Sequence, residues 1–333
     1  MKIALFGLEP WEKEMVQKEF PKDQIILDSN RLSLSNASKF ATTEIISIFI
    51  DNHIDKKILE KLPRLKLIST RSTGFDHIDL DTCRKKNIAV SNVPFYGENT
   101  VAEHAFALIF GLSRKIVPSV ERTRKGSFEL EGLRGFDLKG KTLGIVGCGN
   151  IGQHMAKIAQ GLEMKVLVFD LFQDKKLAKK YNFRYASLNE VLKHSDIVTL
   201  HVPYNKHTHH LIDEKKLALF KTGAYLINTS RGAVVDTNAL VKALKNKKLA
   251  GAGLDVLEEE NHMCEELSLL SKEKVESCNL KTILQNHLLL EMPNVLITPH
   301  NAFNTQEALI RILKTTIQNI KSFKKRRILN KVN

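Results

Sequence analysis

Three segments of the 333-residue chain set polar side chains directly behind apolar runs, and the residue types suggest chemistry at a carbonyl. In Leu226–Gly232, LINTSRG, the apolar run gives way to Thr229, Ser230 and Arg231. A guanidinium there can fork onto a carboxylate with two parallel hydrogen bonds. In Gly251–Glu260, GAGLDVLEEE, Asp255 ends the run and Glu258, Glu259 and Glu260 follow. In Ile297–Phe303, ITPHNAF, His300 stands after a strand and a proline. Singly, each has a bland explanation: an arginine paired with a surface acid, a solvated glutamate face, an idle loop histidine. Together they meet the needs of hydride transfer to a ketone. That reaction needs a proton donor titrating near neutrality, which suits histidine. It needs a cation to hold the substrate carboxylate and polarise the carbonyl. It also gains from a carboxylate behind the histidine, which stabilises imidazolium and fixes its tautomer.

The hydride donor has a pattern of its own. Leu143–Gly152, LGIVGCGNIG, spaces Gly147, Gly149 and Gly152 as GxGxxG between an apolar strand and a helix. The first glycine makes the tight turn and the second admits a pyrophosphate to the backbone. The third lets helix and strand pack closely, with the helix N-terminus facing the anion. A second strand, Lys165–Phe169, leads to Asp170, 18 residues beyond Gly152, where such folds set a carboxylate on the ribose hydroxyls. That carboxylate repels a 2′-phosphate, and Leu171 and Phe172 supply no arginine to offset it. NAD is therefore expected over NADP.

These groups need strands to hold them. Ile3–Gly7, Gln24–Asp28, Ser47–Ile50, Lys66–Thr70 and Ile88–Asn92 read as strands, with a proline-opened helix at Pro10–Phe20 and helical stretches between. Val101–Ile116 is apolar almost all round and predicts a buried or interface helix. After a connector at Lys125–Gly140, strands are expected near 143–147, 165–170, 196–200, 224–228, 250–255 and at Asn294–Thr298. Thr305 is placed to cap a last helix over 305–325. Residues 261–293 break the alternation and predict short helices in an inserted loop. Strands alternating with helices imply an α/β fold with parallel sheets covered on both faces.

The bulk numbers set limits. At this length two domains are expected. No apolar run is long enough to span a membrane, and MKIALFG passes at once into charged sequence, unlike a secretory leader. Cys83, Cys148, Cys264 and Cys278 have neither disulfide-framework nor metal-site spacing, which predicts reduced cytoplasmic thiols and no metal. Part of the net charge of +14 lies in the final 13 residues, KSFKKRRILNKVN, which hold six basic groups and no acid. No nucleic-acid-binding motif accompanies them, so a solvated tail is expected rather than a nucleic-acid interface.

The ordered set Gly147-x-Gly149-x-x-Gly152, Asp170, LHVP at 200–203, NTSRG at 228–232, GLDV at 253–256 and TPH at 298–300 resembles the D-2-hydroxyacid dehydrogenase family. RSTGFDHID at 71–79 and NVPFYGENTVAEHAFAL at 92–108 extend the likeness towards the N-terminus. The resemblance implies a Rossmann-type NAD-binding domain, 101–299, inserted into a flavodoxin-like substrate domain, 1–100 plus 300–333. It implies a catalytic set of Arg231, Glu260 and His300. His300 would be the acid in ketone reduction, Arg231 would anchor the carboxylate, and Glu260, five residues beyond Asp255, would back the histidine. Gly147, Gly149, Asn150, Ile151, Gly152, Asp170, Val202, Pro203, Thr208, Thr229, Ser230 and Asp255 match positions that contact the cofactor in relatives. The substrate would meet backbone amides at Thr73 and Gly74, with Tyr96, Arg231 and Phe303 near it. The DLF after the second strand, the HNAF and the 40-residue spacer from Glu260 to His300 lean towards D-lactate dehydrogenase-like members, and so towards pyruvate and D-lactate. Dehydrogenases of glycerate, phosphoglycerate or a branched 2-keto acid are alternatives, as is a non-enzymatic, corepressor-type NAD sensor. The resemblance also implies a homodimer, with the helix at 101–116 a candidate contact element.

Overall fold

A computed structural model of the chain describes residues 1–260 and 279–333. It falls into two compact units, Met1–Tyr96 with Thr305–Asn333, and Gly97–Asn304. The first unit therefore closes at Tyr96 rather than residue 100. The helix Glu98–Ser113 starts three residues earlier than its apolar run and buries Val101, Ala105, Phe106, Ile109 and Leu112 as one rod in the second unit.

In the first unit β1 (Lys2–Phe6), β2 (Gln24–Asp28), β3 (Ile45–Ile48), β4 (Leu67–Thr70) and β5 (Ala89–Ser91) form a parallel sheet in the order β2-β1-β3-β4-β5. That is the flavodoxin-like order. β3 and β4 are buried at every residue, as parallel strands covered on both faces must be, although Ser47, Ser69 and Thr70 interrupt their apolar runs, and β3 starts two residues before the expected Ser47. Thr305 caps the helix Gln306–Lys324 by accepting from Ala308 N. Leu313, Ile317 and Ile320 of this helix join Ile3, Leu5, Ile45 and Leu67 in one apolar cluster.

The basic tail departs from the solvated expectation. Val332 N donates to Val90 O at 2.9 Å and Asn92 N to Asn330 O at 3.1 Å, so the last residues lie along β5. Asn333 Nδ2 adds a bond to Ile88 O at 2.7 Å. β5 is an edge strand with backbone groups to satisfy, and the tail satisfies them. Lys324, Lys325, Arg326 and Arg327 remain exposed.

The second unit holds β6 (Thr142–Val146), β7 (Lys165–Phe169), β8 (Arg184–Tyr185), β9 (Ile197–Leu200), β10 (Ala224–Asn228), β11 (Leu249–Leu254) and β12 (Val295–Ile297). They form one parallel sheet in the order β12-β11-β10-β9-β6-β7-β8. The order reverses between β6 and β9, the doubly wound arrangement in which ligands bind beyond the carboxyl ends of the strands. Within 261–293 the structure contains a helix at Leu280–Leu290, capped by Asn279. Residues 261–278 of that expected insertion lie outside the described residues.

Candidate active site

The carboxyl end of β6 passes into Gly147, which has φ +97, and a Cβ there would lie 2.6 Å from His201 O. At Gly152 a Cβ would lie 2.2 Å from Gly147 O, so neither position admits a side chain. Gly149 differs. It is the N-cap of the helix Asn150–Gly161, no side chain caps that end, and a Cβ there would meet nothing within 4 Å. Asn150 and Ile151 open the helix, whose amides and dipole favour an anion. Asp170, after β7, accepts Cys148 N at 2.6 Å on Oδ2 and Phe172 N at 2.8 Å on Oδ1. Two such bonds leave lone pairs on each carboxylate oxygen for ribose hydroxyls. Glycine cradle, uncapped helix end and strand-end carboxylate fit a dinucleotide.

Val202 and Pro203 follow β9. Thr208 braces the turn behind them, donating to Pro203 O at 2.6 Å and accepting Asn205 N at 2.8 Å. Thr229 is buried, and its Oγ1 has no hydrogen-bond partner among the described residues.

Three neighbouring strands, β10, β11 and β12, deliver the groups for chemistry. At the end of β10 the buried Asn228 organises the turn. Its Oδ1 accepts from Ser230 N at 3.0 Å and Ser230 Oγ at 2.7 Å, and its Nδ2 donates to Arg231 O at 2.9 Å. Such an asparagine head is a common way to fix a tight turn. Arg231 Nη1 donates to Ser230 O at 2.8 Å. Beside it, a Cβ on Gly232 would fall 2.0 Å from the carbonyl carbon of Leu257, so only glycine lets the loop after β11 pass over this turn.

That loop carries Glu260, and the structure brings Glu260, not Glu258, to His300. Glu260 Oε1 lies 2.7 Å from His300 Nδ1, while its Oε2 accepts Leu257 N at 3.1 Å. With Nδ1–H given to the carboxylate, Nε2 is the ring nitrogen left without a partner among the described residues. His300 has φ +51, a conformation that costs a non-glycine residue and persists only when its surroundings hold it.

Asp255 is what holds it. The cofactor-contact expectation did not anticipate how fully this buried carboxylate is committed. Oδ1 accepts Thr298 Oγ1 at 2.5 Å and Asn301 N at 2.8 Å, Oδ2 accepts Ala302 N at 2.8 Å, and the Asp255 carbonyl accepts His300 N at 2.8 Å. His104, from the helix Glu98–Ser113, adds Nε2 at 3.2 Å from Oδ1. Burial pushes the Asp255 pKa upward, but the hydrogen bonds from His104, Thr298 and the two amides outweigh it and hold the carboxyl below its usual value. Phe303 lies edge-on to the His300 ring at 6.5 Å. Sequence reasoning missed Asn228 and His104. The first was detectable as an asparagine at a strand end, whereas His104 lies in an otherwise apolar helix 151 positions from Asp255 and gives no local signal.

In the first unit the turn after β4 is braced around Thr73 and Gly74. Thr73 Oγ1 donates to Val93 O at 2.8 Å, Asn92 Nδ2 to Thr73 O at 2.8 Å, and Ser72 Oγ to Gly74 O at 2.6 Å. The N–H groups of Thr73 and Gly74 donate to no group among the described residues. Tyr96 presents its carbonyl to Arg311 Nε at 2.6 Å. Among the described residues no cluster of His, Cys, Asp or Glu could hold a metal ion.

A doubly wound sheet with a dinucleotide cradle and a histidine–carboxylate pair at its strand ends defines a nicotinamide-dependent oxidoreductase. Residues 106–302 match the family model for the D-isomer specific 2-hydroxyacid dehydrogenase, NAD binding domain. A 2-hydroxyacid dehydrogenase homolog of Zymomonas mobilis is 38% identical over 326 residues, 96% of each chain. The glyoxylate reductase of Thermococcus litoralis is 37% identical over 294 residues, covering 86% of this chain and 82% of that one. The crystal structure of D-lactate dehydrogenase from Aquifex aeolicus, complexed with NAD and lactic acid, superposes with a TM-score of 0.86 at 38% identity over 97% of this chain and 95% of that one. The chain belongs to the D-isomer-specific 2-hydroxyacid dehydrogenase family and is an NAD-dependent oxidoreductase.

Proposed function

We propose that this enzyme reduces a small 2-keto acid to the D-2-hydroxy acid, with pyruvate and D-lactate the leading pair. The observation that carries the reading is the His300–Glu260 pair at 2.7 Å, which commits Nδ1 to the carboxylate and leaves Nε2 for the reacting oxygen. Bound NADH supplies the hydride to C2. His300 gives its proton to the carbonyl oxygen, and Glu260 stabilises the ring while it is charged. Arg231 receives the substrate carboxylate as a two-pronged donor. The unused amides of Thr73 and Gly74 are a carboxylate receptor on the first unit, with Tyr96 the further substrate-side residue there. Phe303, in the second unit, suits a small aliphatic group.

Asp170, with no cation in the two residues after it, favours NADH over NADPH. The likeness to a D-lactate dehydrogenase supports pyruvate, and the likeness to a glyoxylate reductase makes glyoxylate the rival. We also propose a cytoplasmic homodimer. The apolar side chains of Ile116, Val117, Val120, Phe128 and Leu130 are 50, 42, 41, 81 and 81% exposed, a surface that favours burial against a second copy. All but Ile116 lie beyond the 101–116 stretch expected to make that contact.

The test is an NADH-oxidation screen over pyruvate, glyoxylate, hydroxypyruvate, phosphohydroxypyruvate and branched keto acids, with chiral analysis of the products. Pyruvate should give the highest kcat/KM and D-lactate the product. A higher value with glyoxylate moves the assignment to that acid. L-lactate as product, or equal efficiency with NADPH, refutes the stereochemical or the cofactor assignment.

A further inference from the structure

Arg71 is a buried cation that the proposed reaction does not use. It follows β4 directly, is 3% exposed, and sends its side chain across the end of β3 to β1, the next strand but one in the sheet. There Nη2 donates to Phe6 O at 2.7 Å and to Gly7 O at 3.1 Å. Gly7, at φ +62, holds the turn in which both carbonyls converge on one nitrogen. On the way the guanidinium passes 5.8 Å from the Phe49 ring, and Arg71 N donates to Ile48 O at 2.8 Å. One residue thus ties together the carboxyl ends of three strands.

The tie is a costly one. Nη1 is buried and has no hydrogen-bond partner among the described residues. Burial lowers the Arg71 pKa, and Glu12 and Asp51 oppose that effect without making a direct ion pair with it. Taking an ion out of water costs several kcal/mol even after relaxation, and well-packed apolar replacements are often as stable. Stability alone is a poor reason to keep arginine here, and position is a better one. The two residues after it are Ser72 and Thr73, and the turn they form carries the unused amides of Thr73 and Gly74. On its far side that turn is held by Asn92 and Val93, and on its near side by Arg71.

We propose that Arg71 is a positioning residue for the keto-acid carboxylate: by clamping the carbonyls of Phe6 and Gly7 it fixes the turn that presents the Thr73 and Gly74 amides. This rests on the reading of those amides as a carboxylate receptor. A planar fork with several donors can bond to two carbonyls and lie near an aromatic ring at once, which an ammonium cannot reproduce.

The test is steady-state kinetics on Arg71→Lys and Arg71→Met with pyruvate and glyoxylate as probes at saturating NADH. A rise in keto-acid KM of about tenfold for Arg71→Lys and about a hundredfold for Arg71→Met is expected, with kcat and the KM for NADH within about threefold. Arg71→Lys keeps the charge and serves as the folded variant if Arg71→Met does not accumulate. A keto-acid KM within twofold of the parent in the folded variant overturns the proposal. So does an equal rise in both Michaelis constants, which marks a general structural role. Gly74→Pro, which deletes one amide donor, separates the two layers. If Gly74→Pro leaves the keto-acid KM unchanged, the receptor reading fails. If it raises that KM while Arg71→Lys and Arg71→Met do not, only the positioning role fails.

Discussion

Two histidine–glutamate pairs stand within a few residues of each other in the second unit, and they differ in what surrounds them. His300 meets Glu260 at 2.7 Å and His210 meets Glu258 at 2.8 Å. By distance alone they are equivalent. Glu258 is the more enclosed, 16% exposed against 32% for Glu260. Its second oxygen accepts Thr237 Oγ1 at 2.9 Å and its carbonyl accepts Asn286 Nδ2 at 2.7 Å, while His210 N donates to Ala233 O at 2.8 Å. The His210 pair therefore joins four segments of chain. Glu260 takes one further bond, from Leu257 in its own loop, and His300 Nε2 takes none among the described residues. Each histidine keeps one ring nitrogen without a partner among the described residues, Nδ1 of His210 and Nε2 of His300, so the difference lies in the carboxylates: Glu258 is tied to Thr237 and Asn286 and braces the fold, whereas Glu260 is tied only within its own loop.

The largest effect that could break this distinction is on turnover. His300→Ala should lower kcat by about 10²–10⁴, the range for losing a positioned acid, and Glu260→Gln should give a smaller loss in the same direction. His210→Gln and Glu258→Gln should keep kcat within about threefold and instead lower the melting temperature, since each removes a hydrogen bond worth about 1–3 kcal/mol to a charged partner. The four variants need only rapid kinetics and thermal melts. A His210→Gln enzyme as slow as His300→Ala would end the contrast between the pairs.

A smaller effect separates holding from reacting within the catalytic loop itself. Asp255 keeps His300 in its left-handed conformation, and its pKa is held low by hydrogen bonds that outweigh burial. A carboxyl depressed in the folded state contributes stability above its unfolded value of about 3.9, and that contribution fades as pH falls through the folded value. Asp255→Asn should therefore melt several degrees lower than the parent at pH 7, at about 2–4 °C per kcal/mol for a unit the size of Gly97–Asn304. The gap between the two should narrow below about pH 4. Parallel melting curves across that range would show that Asp255 is no ionic anchor.

Much of this was legible beforehand, and for a physical reason. Parallel strands buried on both faces are continuous apolar runs, so LGIV at β6 and IALF at β1 declare themselves, and residues set at their ends declare themselves with them. That is why Gly147, Asp170, Arg231 and His300 could be singled out. What escaped depends on pairing at a distance. β8, two residues long at a sheet edge, has no periodicity to read. The tail beside β5 reads as polar because its bonds are made by backbone atoms and by Asn330 and Asn333, not by apolar side chains. His104 and Arg71 lie in segments whose local pattern is explained without them, and only the folded chain brings Asp255 and the Phe6 carbonyl to them.

A third histidine sharpens the comparison with the smallest effect. His201 follows β9, accepts or donates one bond through Nε2 to Thr199 Oγ1 at 2.8 Å, and has a buried Nδ1 with no partner among the described residues. Burial pushes its pKa down to about 3, so the ring is neutral in the folded enzyme throughout the working range. Unfolding exposes it to an ordinary value near 6.5, so the unfolded chain gains a proton that the folded one refuses. The stabilisation is complete above about pH 6.5 and is lost progressively as pH falls towards the folded value. Between pH 7 and pH 5.5 the loss amounts to about 1.2 kcal/mol. His201→Asn cannot titrate. Its melting temperature should start lower than the parent's at pH 7.5 and fall less steeply towards pH 5.5, while the other histidines contribute equally to both proteins and cancel. If the two profiles run parallel, His201 takes up a proton as readily in the fold as out of it. Its seat at the end of a strand beside the glycine cradle would then call for a chemical role that a neutral, committed ring does not have.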